Sequence, residues 1–294
     1  MQLGVVFPQL EIGADPAVLR DYAQAAEELG YAHLIAYDHV LGAHPERPGG
    51  FQGPYTHESL FHEPLVLFGY LAAVTRRIEL WTGIIILPQR QTALVAKQAA
   101  EVAVLSGGRF VLGVGIGWNA VEYEALNEDF HTRGRRVEEQ VALLRELWAK
   151  TSISFEGRYH HVSRAGINPL PPSQIPIWMG GGDDRVLARI GRTADGWLVS
   201  PGLRGNIEGT RVYIETIHAA AREAGRDPAS ISLESRVNFS TTDLPRELEV
   251  ARAWIGLGCS HITLNTMGTG LDSPRAHIDA IRAFKEAWDR AGIA

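Results

Sequence analysis

Short apolar runs alternate with amphipathic helical segments along the whole chain, and this alternation constrains the fold more than any other feature. Repeated strand–helix units form parallel sheets, because each helical crossover covers a sheet face. Strands are predicted over Leu3–Phe7, His33–Tyr37, Ile78–Leu87, the run from Arg109, Ile175–Met179, Asp195–Ser200, Ile231–Phe239 and His261–Thr266. Helix signals fall between them. Asp15-Pro16 supplies an N-cap and a first-turn proline, and Gly30 ends that helix. Further helices are predicted near Pro64–Ala73, Thr92–Leu105, Arg133–Lys150 and Asp183–Arg192, with Ser106-Gly107-Gly108 halting Thr92–Leu105. Eight strands without a linker or a low-complexity run predict a single α/β domain over residues 1–294, a (β/α)8 TIM barrel. A doubly wound parallel sheet is the alternative. Insertions are expected at the carboxyl ends of the strands: Leu41–Glu63, Asn119–Arg133 and Thr151–Ser173, the last a short hairpin or an irregular excursion.

The fourth strand runs Arg109-Phe-Val-Leu-Gly-Val-Gly-Ile-Gly-Trp118. With a period of two, Gly113, Gly115 and Gly117 fall on one face and remove three side chains from it. Such a vacancy marks a place where something flat or bulky lies against the backbone. The run resembles the Gly-x-Gly-x-x-Gly dinucleotide fingerprint, but its third glycine comes one place early and Trp118 stands in its position. The strand also lies mid-chain and not in an opening βαβ unit. A dinucleotide fold is therefore disfavoured.

Other chemistries lack their markers. A net charge of −6 with no long Lys/Arg cluster argues against nucleic acid. The one cysteine, Cys259, allows neither an internal disulfide nor a cysteine metal cluster. His57-Glu-Ser-Leu-Phe-His62 is one residue longer than His-Glu-x-x-His, and its imidazoles fall about 140° apart on a helix. No metal site is expected. Neither Gly-x-Ser-x-Gly nor Gly-x-x-x-x-Gly-Lys-[Ser/Thr] occurs. The first residues lack the basic and apolar regions of a signal peptide, and no apolar stretch reaches about 18 residues. The expectation is a cytoplasmic protein without a membrane partner.

Ligand sites of a barrel lie at the carboxyl ends of its strands. Asp38-His39, Gly83-Ile84, Gly115 to Trp118, Gly180 to Asp183 and Ser200 all fall there. Gly180-Gly181-Gly182 precedes a helix, an arrangement whose free N–H groups and dipole suit a phosphate, with Arg185 one turn on. Together these pieces point to a small-molecule site for a phosphate-bearing cofactor with a flat ring.

The chain resembles the bacterial-luciferase-like oxidoreductases, in particular the branch that uses the deazaflavin coenzyme F420. The likeness rests on Ile35-Ala-Tyr-Asp-His39, Ile78-Glu-Leu-Trp-Thr-Gly-Ile-Ile-Ile-Leu-Pro88, Leu105 to Trp118, Phe155-Glu-Gly-Arg-Tyr159, Ile175-Pro-Ile-Trp-Met-Gly-Gly-Gly182 and Ala194-Asp-Gly-Trp197, in this order. The resemblance implies a dimeric TIM barrel with a flavin-type ring across the strand ends. Asp38 would meet the ring's polar edge, and His39 would stand near the reacting carbon as acid/base or orienting group. Gly83-Ile84 would form a third-strand bulge with a non-proline cis peptide behind the ring. Gly115, Ile116 and Gly117 would lie under the ring, with Gly180, Gly181, Gly182 and Asp183 at the phosphate. Relatives that oxidise sugar phosphates carry a carboxylate right after the glycine run and a tryptophan after the Asp-His pair. Here those places hold Trp118 and Ala43, which argues against glucose 6-phosphate. Trp118 instead suits an aromatic or apolar substrate, or a wall for the ring. The implied reaction is hydride transfer between coenzyme F420 and a small organic substrate. A monooxygenase using reduced FMN and oxygen is the alternative, and a cofactor carrier without catalysis a third reading.

Overall fold

The computed structural model describes residues 1–199 and 206–293. Eight parallel strands close into a barrel in the order β1 (Gln2–Val6), β2 (His33–Tyr37), β3 (Glu79–Ile86), β4 (Phe110–Gly115), β7 (Ile177–Gly181), β8 (Gly196–Val199), β9 (Ser232–Asn238) and β10 (His261–Asn265). β1 pairs with β10, so the first and last strands of the chain seal the sheet. Closure overturns the doubly wound alternative, since that arrangement leaves two sheet edges open. The excursion after residue 150 is an antiparallel hairpin of β5 (Ile153–Glu156) and β6 (His161–Ala165), outside the barrel.

The five helices placed by sequence signals form within a few residues of the expected limits. Asp15 accepts a hydrogen bond from the Ala17 amide ahead of α1 (Pro16–Glu28). α2 (Pro64–Val74) is capped by Glu63, and α3 (Thr92–Leu105) stops at Ser106 before two glycines with positive φ. α4 (Ala120–Ala125), α5 (Arg133–Ala149), α6 (Asp184–Thr193), α7 (Arg211–Glu223), α8 (Leu244–Gly256) and α9 (Pro274–Arg290) are the other α-helices among the described residues. The main core lies between strands and helices. Val5, Leu34, Leu80, Leu112, Ile177 and Leu264 meet Phe68, Ala99, Leu144, Ile190 and Phe284 there, all fully buried. Burial of each large side chain contributes about 1.5–3 kcal/mol relative to exposure. No helix among the described residues is long and apolar enough to cross a membrane.

The barrel interior is a second, smaller core. His33 stacks on Trp81 at 4.5 Å, Trp81 meets Trp178 at 4.6 Å, and Trp178 meets His261 edge-on at 5.0 Å. These rings plug the lower barrel. Ile35, Val111 and Leu198 pack above them, with Ile84 over the top. Whatever the barrel binds must therefore sit at its carboxyl mouth.

Candidate functional site

An open cavity of about 380 Å³ occupies that mouth. Its wall on the β3–β4–β7 side is built around a bulge. β3 spends one extra residue against β2 near Gly83, and three residues, Thr82 to Ile84, against two of β4. The Thr82 hydroxyl replaces the interrupted ladder: the Gly113 amide donates to its Oγ1 at 2.7 Å, and the hydroxyl donates to the Gly113 carbonyl at 2.8 Å. The bulge turns Ile84 into the mouth. A Cβ at Gly115 would stand 3.0 Å from Ile84, and one at Gly180 3.1 Å from it.

The glycines of the fourth strand thus serve a different neighbour from the one expected. A Cβ at Gly113 would fall 2.1 Å from the Thr82 carbonyl oxygen, and one at Gly117 would fall 2.7 Å from Ile86. The vacancies are filled by the bulged β3, and the exposed surface they support is the aliphatic face of Ile84. Gly117 also lies beyond β4 with φ of +65°, so the period-two register covers only Gly113 and Gly115. The expected cis peptide at Gly83–Ile84 is not there. The one cis bond among the described residues is Asn168–Pro169, and the bulge takes up its extra residue with a trans bond.

Asp38, Gly115, Ile116, Gly117 and Trp118 all line the cavity, as do Gly83 and Ile84. The Asp38 carboxylate, however, is turned to Arg90. Oδ1 accepts from Nη2 at 2.7 Å, and Oδ2 accepts from the Ile86 amide at 2.9 Å. Arg90 also donates to Glu63 at 2.9 Å, which ties the end of β2 to the start of α2. Burial pushes the Asp38 carboxyl up from its ordinary value, against the pull of Arg90. With its side chain 1% exposed, Asp38 has its carboxylate committed to Arg90 and the Ile86 amide.

Gly180 and Gly181 also line the mouth, but as the last residues of β7, paired with Leu198 and Val199 of β8. The expected glycine turn shortens to Gly182 and Asp183. Asp183 caps α6, its side chain accepting from the Arg185 amide at 3.0 Å. Gly182 and Asp183 are not part of the cavity lining. A phosphate would be held beyond the rim, at the first turn of α6. Ser200 lies outside the described residues.

His39 stands at the boundary between this cavity and a second, more polar one of about 360 Å³ beneath the 41–63 loop. Its ring packs against Tyr55, Phe61 and Trp118, with centroids 5.0, 4.7 and 5.9 Å away. Trp118 is 45% exposed and forms a wall of both cavities. Behind His39 is a carboxylate that the sequence reading did not single out. Glu122 is fully buried, with Oε1 3.4 Å from His39 Nδ1 and accepting from the Val40 amide at 2.8 Å. Its only sequence signal is Asn119-x-x-Glu122, which looks like a local capping box. Asn119 does cap α4, but Glu122 reaches across to the β2 loop instead.

Two further residues escaped notice. Arg236 lies in β9, and its Nη1 donates to the Tyr37 hydroxyl at 2.6 Å across the barrel. Arg236 Nε donates to Glu234 at 3.1 Å. Burial opposes this charge, yet Glu234 and Tyr37 hold the guanidinium above its ordinary value. Among the other histidines, His62 contacts the Gly13 carbonyl, and His160 lies between Thr92 and Glu139. Among the described residues no three His, Cys, Asp or Glu side chains cluster as a metal site.

A closed (β/α)8 barrel with a ring-sized, mostly apolar mouth is the architecture of a cofactor or small-molecule enzyme. The luciferase-like monooxygenase family model matches residues 1–277, and the chain belongs to that family. It is 31% identical over 279 residues to an F420-dependent glucose-6-phosphate dehydrogenase of Rhodococcus jostii, covering 87% of this chain and 79% of that one. The fold is shared with an F420-dependent secondary alcohol dehydrogenase solved with an F420–acetone adduct: TM-score 0.75, 18% identity, 96% and 97% of the two chains covered. It is also shared with the monooxygenase RslO1 of Streptomyces bottropensis, with TM-score 0.77, 18% identity and coverage of 97% and 98%. The chain is an enzyme of this family.

Proposed function

We propose that the protein is an oxidoreductase that uses coenzyme F420 to exchange a hydride with a small organic substrate. The relative from Rhodococcus jostii, similar over most of the chain, supports the cofactor. The observation that carries the reading here is the wall of the mouth. Ile84 is pushed outward by a bulge, and glycines at 115 and 180 leave its aliphatic face open for a planar ring. Apolar surface of this kind suits stacking, and the first turn of α6 suits a phosphate. When bound, the cofactor supplies or accepts the hydride; the protein's part is to orient and to handle protons.

In this reading Ile84, Gly115, Ile116 and Gly117 back the ring, Trp118 limits it, and the end of β7 leads to the phosphate. His39, which lines the mouth, holds the proton that accompanies the hydride. Glu122 Oε1 lies 3.4 Å from its Nδ1, a buried carboxylate against that edge of the ring. A substrate screen reading loss of the reduced cofactor's absorbance tests the activity. With any substrate found, His39→Ala should lower kcat by about 100-fold or more while cofactor affinity stays within about twofold. Full turnover in His39→Ala would remove histidine from the chemistry.

The functional unit in this reading is a homodimer. α2 carries no charged residue, and it packs beside α3 with Val66 70%, Leu94 52% and Leu105 56% exposed. An all-apolar helix left at a surface is explained by a second copy covering it.

A further inference from the structure

The polar floor of the cavity is not needed to hold a ring against the Ile84 wall, and its chemistry is specific. Arg236 has a side chain only 5% exposed, yet it lines the mouth. Nη1 is used by Tyr37 and Nε by Glu234, while Nη2 has no hydrogen-bond partner among the described residues. The Tyr37 oxygen accepts from Arg236, so its own hydrogen is left to donate, and the described residues give it no acceptor. A Cβ at Gly83 would stand 2.7 Å from the Tyr37 ring, so the ring packs directly against the bulge. Two donors that the described residues leave without an acceptor therefore line a mostly apolar chamber. Both face the open cavity, where they are groups able to donate to an incoming acceptor.

We propose that Tyr37 and Arg236 form the substrate's oxygen site, and that the substrate class is an uncharged carbonyl compound or alcohol with an apolar body. This rests on the oxidoreductase reading above and narrows it.

The charge balance selects an uncharged ligand. Arg236 is already matched by Glu234, and Arg90 by Asp38 and Glu63. Glu122 adds a further buried carboxylate beside His39. Beneath the floor, burial lowers the affinity of His261 and His33 for protons, which keeps both rings neutral near pH 7. No described cation of the floor is left over to balance a carboxylate or phosphate, and an unbalanced buried charge is strongly disfavoured. A carbonyl or hydroxyl oxygen accepts from these donors without that cost, and the proton that joins it in a reduction comes from the side of the same cavity that His39 lines. Ile84, Leu198 and Val199 receive the rest of the molecule.

Isobutyramide, a neutral carbonyl probe, and isobutyrate, its anionic counterpart of similar size, separate these cases. Binding is followed by calorimetry to the protein saturated with coenzyme F420 and to the protein alone. Isobutyramide should bind at least about 10-fold more tightly than isobutyrate. Tyr37→Phe should weaken the amide about 3- to 10-fold, the effect of one hydrogen bond, with coenzyme affinity within twofold. The pair Glu234→Gln with Arg236→Met, which leaves no buried charge behind, should weaken it about 10-fold or more. The proposal is overturned by unchanged amide affinity in both variants, by equal or tighter isobutyrate binding, or by no amide binding to the wild type. Loss of coenzyme affinity in Tyr37→Phe would also overturn it, because the floor would then hold the cofactor. If the wild type fails to bind coenzyme F420, the oxidoreductase reading fails, while the amide titration of the protein alone still decides the oxygen site.

Discussion

At the scale of single residues, the same glycines carried both the sequence reading and its correction. The vacancy at Gly113 and Gly115 was legible because strand periodicity is fixed by the backbone. What fills it was not. A bulge in β3 is a tertiary event, made by Thr82 bridging to Gly113 and by Ile84 turning inward, and neither residue type announces it. Gly113→Ala should be among the most damaging small substitutions in the chain. Its Cβ would meet backbone at 2.1 Å, with no flexible side chain to yield, so a loss of about 3 kcal/mol or more is expected. Gly69→Ala, at a helical site with open space, should be neutral or stabilising by up to about 1 kcal/mol. Thermal or denaturant unfolding of the two variants reads this difference directly. Asp38 and Glu122 teach a related lesson: Asp38 was visible at a strand end but its partner Arg90, 52 positions away, was not, and Glu122 stayed hidden because Val40 lies 82 positions from it.

At the scale of elements, most of the helices and barrel strands were readable, because caps, prolines and glycines act locally. The ties between elements were not. Glu27, near the end of α1, shows how such a tie works. Its Oε2 accepts from the amides of Arg76, Arg77 and Ile78 at 2.8, 2.6 and 2.9 Å, fixing the entry to β3. Burial pushes this carboxyl up, but the three amide donors outweigh it and hold it below its ordinary value. The folded chain therefore keeps Glu27 ionised more firmly than the unfolded chain does. Its contribution is complete above the unfolded value of about 4.3 and is lost as pH falls through the lower folded value. Glu27→Gln should cost about 1–3 kcal/mol at pH 7 and should flatten the decline of stability below about pH 4.3. Urea unfolding at a series of pH values checks both. An equally steep acid decline in the variant would show that the three amides do not bind the charge.

At the scale of the whole molecule, the barrel itself was foreseeable from eight apolar runs and their spacing, and the placement of the site followed from the barrel. The division of the mouth into an aliphatic wall, a polar floor and a histidine boundary was not foreseeable. It depends on residues such as Tyr37, Glu122 and Arg236, which belong to different strands and loops and meet only when the sheet closes. The exposed apolar face of α2 and α3 belongs to this scale as well. Val66→Glu with Leu94→Glu should convert a dimer to a monomer in analytical ultracentrifugation, with the barrel's circular dichroism retained. A wild-type protein that sediments as a monomer would leave that face unexplained by self-association.

The central claim is that the bulged Ile84 wall accepts a deazaflavin ring. Side-by-side equilibrium titration of the purified protein with coenzyme F420 and with FMN tests it most directly. Saturable, micromolar or tighter binding of coenzyme F420, at least about 10-fold stronger than that of FMN, is the predicted result. Micromolar binding of FMN with none of coenzyme F420 would contradict it and would favour a flavin monooxygenase.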